Sequence, residues 1–257
     1  MKRQALVVII AICIIIGGIG VFQLYSYYSQ DKAAEKAFEQ LLPVDEMVSG
    51  GDTAFDGDWI SYDYMLPYYE GLRKQNPDMV GWLFIPGTRI SYPVMQTVVN
   101  QEYYLDKNFN KEYSTAGSLF ASAFSDVEIP SDVVTVYGHR MKTGAMFGSL
   151  GDFLNPDFLS EHETIIFDTF AERYKYKIYA VFSLDVDIEN SFAYYDCYIF
   201  VSPNEFNEFA NKVRTFASVI NSAHTPIYGD KFLLLSTCEY THKNGRLVIV
   251  AVKKKDK

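Results

Sequence analysis

Cysteine is scarce in this chain: three residues in 257, Cys13, Cys197 and Cys238, and no two of them form a CxxC pair. That excludes a disulfide scaffold and a cysteine-rich metal centre. No two histidines stand at the spacing of an HExxH site, so no catalytic zinc is expected. Positive charge is also short, with 23 basic against 32 acidic side chains and a net charge of −9. Lys2 and Arg3 carry +2 and residues 253–257 carry +3, which leaves −14 on positions 4–252. A body that acidic repels phosphate backbones, and nucleic-acid binding is not expected. Internal repeats and low-complexity tracts are missing. Disorder throughout is excluded by 19 Phe and 20 Tyr, which cannot all stay solvated.

Long apolar runs are absent with one exception. Ala5 to Phe22 is unbroken by any polar residue, ALVVIIAICIIIGGIGVF. About 20 such residues cross a bilayer core, so residues 5–24 are expected to form a transmembrane signal anchor. A cleaved signal peptide has a shorter apolar region, roughly 7–15 residues, and a small-x-small cleavage site. Gln23-Leu24-Tyr25-Ser26-Tyr27-Tyr28 offers no such site, and its tyrosines suit a membrane interface. Lys2 and Arg3 keep residues 1–4 cytoplasmic by the positive-inside rule and place the rest of the chain outside the cell. Cys13 then lies in lipid, without chemistry.

Residues 25–59 read as a juxtamembrane helix and linker. Asp31 is expected to cap a helix over Lys32–Leu42, and the glycine- and acid-rich stretch Val48–Asp58 follows Pro43. A second helix is expected over Tyr64–Lys74, and the compact domain over residues 60–257. Strands are expected at Val80–Ile85, Arg89–Met95, Ser118–Ala121, Val133–Tyr137, Thr164–Phe167, Arg173–Val181, Tyr198–Val201, Phe232–Thr237 and Leu247–Val252. Ser202-Pro203-Asn204-Glu205 is a capping box with proline at the first helical position, opening a helix drawn to Ile220. Short strands with few helices predict a mostly β fold, a closed eight-stranded β-barrel with peripheral helices.

Two candidate reactive groups fall at strand ends. Cys238 closes the apolar run Phe232–Thr237, and Arg246 opens the last strand eight residues later. Paired as a hairpin, those strands bring the two residues together. A guanidinium there favours a thiolate and can hydrogen-bond an oxyanion. The bland alternative is a small buried cysteine without chemistry. A nucleophilic thiol wants a base, and histidine is the usual one. His139 leaves the strand Val133–Tyr137 after Gly138, while His242 lies four residues beyond Cys238. From chemistry alone the two stand level. His162 and His224 sit in polar contexts and are expected to be solvated.

Tyr137-Gly138-His139-Arg140, Met146-Phe147-Gly148-Ser149-Leu150, Leu234-Leu235-Ser236-Thr237-Cys238-Glu239-Tyr240 and Arg246, in that order, resemble the class B sortases. Asn76 to Leu83 and Ile90 to Gln96 are similar to the start of the same domain, so the resemblance covers about 190 residues. It implies a sortase-like barrel and a membrane-anchored cysteine transpeptidase of a Gram-positive surface. Such an enzyme cuts a secreted protein after Thr in a C-terminal sorting signal of the Asn-Pro-x-Thr type. It holds the acyl fragment as a thioester and passes it to an amine of peptidoglycan or its lipid-linked precursor.

By that resemblance Cys238 is the nucleophile, His139 the base and acid, and Arg246 the oxyanion ligand. Ser236, Glu239 and Leu105 would meet the substrate, and no cofactor is implied. The sequence departs from the family at Leu234, where a Thr is usual, and lacks the acidic residue often found after Phe120. A residue orienting His139 is therefore unassigned. Asp185, Asp187 and Glu189 resemble a calcium site of class A relatives, but alternating acids more often form a solvated edge, and no metal is expected. Pilin polymerisation, an inactive surface binding module of the same fold and a plain cysteine hydrolase are the competing readings.

Overall fold

The computed structural model describes residues 2–39, 41, 55–56, 59–185, 192–239 and 245–255. The first helix, α1, runs from Lys2 to Glu39 without interruption. At 1.5 Å per residue its 38 residues span about 57 Å. The expected restart at Asp31 does not occur: no glycine or proline falls between Val21 and Leu42 to break the helix. Ile14, Ile16 and Phe22 are largely exposed along it. Among the residues with described side chains, no helical segment is long and apolar enough to cross a membrane. The far end docks on the domain. Phe38 is buried and meets Tyr92 edge-on at 5.5 Å, and the Tyr68 hydroxyl donates to the Leu41 carbonyl.

The stretch read as linker lies mostly outside the described residues. Within it, β1 (Phe55–Asp56) pairs with β2 (Trp59–Ile60) in a minimal hairpin. Helix α2 covers Tyr62–Gln75 and stops at Asn76, ahead of Pro77. The strands that follow are β3 (Met79–Phe84), β4 (Ser91–Met95), β5 (Leu119–Ala121), β6 (Val133–Tyr137), β7 (Thr164–Thr169), β8 (Arg173–Asp185), β9 (Val219–Ile220), β10 (Lys231–Glu239) and β11 (Gly245–Lys253). They lie in the order β11-β10-β6-β5-β4-β3-β7-β8-β9, and a further β11–β8 pairing closes eight of them into the expected barrel. The β4–β5 and β6–β10 pairs are parallel and the others antiparallel.

Three local expectations need correction. Tyr198–Val201 is irregular rather than a strand: its Phe200 is buried while Ile199 and Val201 face solvent, and Val133 N–H of β6 donates to the Tyr198 carbonyl. The late helix, α4, covers Pro203–Phe216 and ends four residues short of Ile220, because Val219 and Ile220 pair with β8 instead. A short helix over Pro156–Glu161, numbered α3 in chain order, had not been expected, although Asn155 caps it and Pro156 occupies its first position.

Two apolar layers explain the long hydrophobic runs of β10 and β11. Leu233, Leu235, Leu247, Ile249 and Ala251 belong to the cluster that fills the barrel with Val134, Val136 and Ile165. Their alternates Phe232, Leu234, Val248, Val250 and Val252 belong to a second cluster with Phe206, Phe209 and Val213 of α4. Both faces of these strands are buried, so alternation disappears from their sequence. Helix α4 covers the outer face through Phe209, whose ring centre lies 5.1 Å from that of Phe232.

Polar staples fix the other wall. Asp168 is fully buried, accepts two hydrogen bonds from Arg173 at 2.7 and 2.8 Å and a third from Tyr69, and Arg173 also donates to the Ile60 carbonyl. This holds α2 and β2 against the barrel. Glu163 Oε1 accepts from Lys177 at 2.7 Å, while its Oε2 accepts from Asn221 at 3.2 Å and lies 2.8 Å from His224 Nε2. Lys177 and His224 hold its carboxyl down at about 2.

Asp168→Asn is expected to lower unfolding free energy by about 3–5 kcal/mol in urea titration, since it leaves a buried guanidinium without its counter-charge. Glu163 contributes stability above its ordinary pKa near 4.5 and loses it as pH falls towards 2. Glu163→Gln is therefore expected to flatten the melting temperature profile between about pH 4.5 and 2.

Candidate active site

The register of two strand pairs assembles the site. In the β10–β11 hairpin, Cys238 and Arg246 are direct partners, one step in from Glu239 and Gly245. On the other side β10 runs parallel to β6, with Ser236 beside Tyr137, and Gly138 N–H donates to the Ser236 carbonyl at the end of that ladder. His139 thus leaves β6 at the level where β10 reaches Cys238. Gly138 lets two buried side chains close over the backbone: a Cβ there would lie 2.4 Å from Leu119 Cδ2 and 2.8 Å from the Phe147 ring, so both would have to shift. Arg246 is held on both flanks, since its other neighbour is Leu184 of β8.

His139 is oriented by main chain. Its Nε2 lies 2.7 Å from the Leu105 carbonyl, which can only accept, so Nε2 carries the proton and Nδ1 is left as the basic nitrogen. Leu105 ends a 3-10 turn over Tyr103–Leu105. Gly117 lies against this turn, with a left-handed φ of +59°, and a Cβ there would sit 2.4 Å from the Leu105 oxygen. The histidine partner that no acidic residue supplied in the sequence is thus a carbonyl, which leaves no mark in residue type.

A cleft of about 600 Å³ opens over this corner, lined by His139, Arg246, Leu105 and Thr237. Its walls are aromatic, with Phe120, Phe124, Tyr137, Tyr194 and Tyr198, and Glu102 and Asp196 stand among them. Burial pushes the Tyr137 phenol well above its ordinary range, with Tyr194 and Tyr198 adding to the rise, so it stays protonated. Ser236 is buried, and its hydroxyl lies 2.7 Å from the Tyr194 hydroxyl. It therefore stands behind a lining residue. Glu239 is placed by its backbone pairing with Gly245.

The remaining candidates separate from this corner. His242 and the acids Asp187 and Glu189 lie outside the described residues. The expected solvation of His162 and His224 is corrected: the first is bonded to the Pro86 carbonyl at 3.0 Å and packs on Phe158, and the second is bound to Glu163. Among the described residues no group of three metal-ligating side chains occurs. The part of the aromatic wall made by Tyr194 and Tyr198 is not marked in the sequence: Tyr194 opens a 3-10 turn over Tyr194–Asp196 and Tyr198 follows in irregular chain before α4.

A cysteine paired in register with an arginine, beside a tethered imidazole, suits acyl transfer through a covalent intermediate. Comparison with known proteins agrees. Residues 83–254 match the sortase domain family. A sortase B of Listeria monocytogenes is 35% identical over 181 residues, which are 69% of this chain and 70% of that one. A sortase B of Staphylococcus aureus is 28% identical over 256 residues, 98% of this chain and 97% of its own. Among solved structures, a Staphylococcus aureus sortase B–substrate complex superposes with a TM-score of 0.73 at 25% identity, covering 89% of this chain and all of that one. Sortase B from B. anthracis in complex with AAEK1 gives 0.64 at 32% identity, covering 74% and 85%. The chain belongs to the sortase family, and to its class B, whose members are cysteine transpeptidases.

Cys197 offers a control within the same chain. Burial pushes its thiol up to about 11, with Asp132 and Glu205 adding to the rise. At pH 8 only about one part in a thousand is thiolate. Iodoacetamide at that pH is expected to leave Cys197 unmodified, as peptide mapping by mass spectrometry will show.

Proposed function

We propose that this class B sortase is membrane-anchored, cleaves an Asn-Pro-x-Thr-type sorting signal after Thr, and transfers the secreted protein to a peptidoglycan amine. The observation that carries the reading is the register that sets Cys238 opposite Arg246 with His139 leaving the parallel strand beside them. The Cys238 thiolate attacks the Thr carbonyl carbon, and the oxyanion accepts hydrogen bonds from the Arg246 guanidinium. Collapse breaks the C–N bond, His139 gives its proton to the departing amine, and a thioester remains. An acceptor amine then gives a proton back to His139 and attacks the thioester. The second collapse expels the thiolate and leaves a new amide.

The choice of signal rests on the resemblance to class B enzymes. The S. aureus sortase B has been solved with substrate, and a sortase B has been solved with triglycine, which suits an enzyme that meets both a signal peptide and an amine. The acidic wall of Glu102 and Asp196 in the cleft favours a neutral or basic signal peptide over an acidic one. Anchoring rests on the unbroken apolar run of residues 5–22 and on the continuity of α1 through it. Wall attachment is preferred to pilin polymerisation because no second apolar run of that length occurs in the sequence.

Three variants of the full chain in detergent test the roles. His139→Ala is expected to abolish turnover while His242→Ala retains it; the reverse pattern would assign the base to His242. Arg246→Ala is expected to lower kcat by about 10²–10³, the usual loss for one oxyanion donor. Product analysis with and without added amine separates transfer from hydrolysis, and hydrolysis unchanged by amine would overturn the transpeptidase reading.

A further inference from the structure

Neighbouring side chains on the segment after β6 line two different cavities. His139 lines the cleft, and Arg140 lines a second cavity of about 780 Å³. Three cations face it, Arg89 from the β3–β4 turn with Arg140 and Lys142, against one carboxylate, Asp152. On a chain with net charge −9 this is a local reversal of sign. Arg89 and Lys142 are exposed, and neither forms an ion pair among the described residues.

The cavity is built around these cations. A Cβ on Gly151 would lie 3.1 Å from Arg140 Nη2, so glycine gives the guanidinium its room. Gly144, at φ +88°, passes Arg89 Nη1 at 3.9 Å on the same measure. The segment between is rigid: Arg140 bridges to Met146, Met146 N–H donates to the buried Tyr92 hydroxyl, and Phe147 N–H donates to the His139 carbonyl. Ser149 also lines the cavity, and its hydroxyl oxygen is buried with no hydrogen-bond partner among the described residues. A buried hydroxyl of that kind costs free energy until something bonds to it.

The geometry points to an oxyanion subsite for the amine acceptor, in which Arg89, Arg140, Lys142 and Ser149 hold an anionic group of the acceptor while His139, on the same rigid segment, meets its amine. The subsite rests on the transpeptidase reading given above. An amine acceptor from peptidoglycan carries such groups in two places, the carboxylates of its peptide and the pyrophosphate of its lipid-linked form. Both are repelled by the acidic body of the enzyme, and a basic cavity beside the base offsets that repulsion.

The test uses the full chain in detergent, the variant Arg89→Ala/Lys142→Ala, and an amine-bearing acceptor peptide with its carboxylate either free or amidated. For the free carboxylate, acceptor KM is expected to rise about tenfold in the variant, the amidated peptide to be unaffected, and the rate of thioester formation to stay unchanged. Arg89→Lys/Lys142→Arg is expected to restore most of the loss, which a merely structural defect would not allow. In parallel, inorganic pyrophosphate is titrated by calorimetry into Cys238→Ala and into the same protein carrying Arg89→Ala/Lys142→Ala. Binding that the second variant loses assigns the subsite to the lipid-linked form, and a carboxylate effect alone assigns it to the peptide. If neither the acceptor KM nor pyrophosphate binding changes, the subsite does not exist. If no thioester forms in the wild-type chain, the transpeptidase reading fails, while the pyrophosphate titration still decides the cavity.

Discussion

Strand β10 is buried on both faces, and the site depends on that. Its odd-numbered leucines fill the barrel and its even-numbered residues pack under α4, so a slip of one residue would exchange the two sets. Phe232 and Leu233 differ in volume and face layers of different shape, which makes such a slip costly. The same lock on β11 fixes Arg246 opposite Cys238, and the parallel ladder to β6 fixes the exit of His139. Core packing, rather than any contact among the reactive groups, sets the spacing of the site.

What packing does not set, the connecting segments supply. The Leu105 carbonyl fixes the tautomer of His139, and Gly117 lets that turn come close enough to do so. The segment 139–149 then carries this histidine together with Arg140 and Lys142 of the basic cavity, which Arg89 of the β3–β4 turn completes, so on the proposed reading the two halves of the reaction share one base but have separate walls. On the proposed reading, the aromatic cleft with Glu102 and Asp196 takes the peptide that is cut, and the cationic cavity takes the group that arrives.

Much of this was legible in the sequence. Long strands announced themselves by apolar runs, and the capping box at Ser202 and the hairpin residues 86–88 punctuated them. The pairing of Cys238 with Arg246 followed from spacing alone. His139 and His242 stood level on chemistry and only the family resemblance separated them; the parallel β6–β10 contact, between residues almost a hundred positions apart, brings His139 to the level of Cys238. Tyr198–Val201 has strand composition but pairs with no strand among the described residues, and Ile220 continues the helical pattern of α4 in sequence while in the fold it pairs with β8. The partner of His139 is a backbone carbonyl, and part of the cleft wall, Tyr194 and Tyr198, comes from the connection before α4, neither of which has a sequence signature.

The most direct test of the account is the intact mass of the full chain after brief incubation with Asn-Pro-x-Thr-containing peptides in the absence of amine. The account predicts an acyl adduct that ends in Thr, maps to Cys238 and disappears when an amine acceptor is added. No adduct, with Cys238 as slow to alkylate as Cys197, would contradict it and leave an inactive binding module of the same fold.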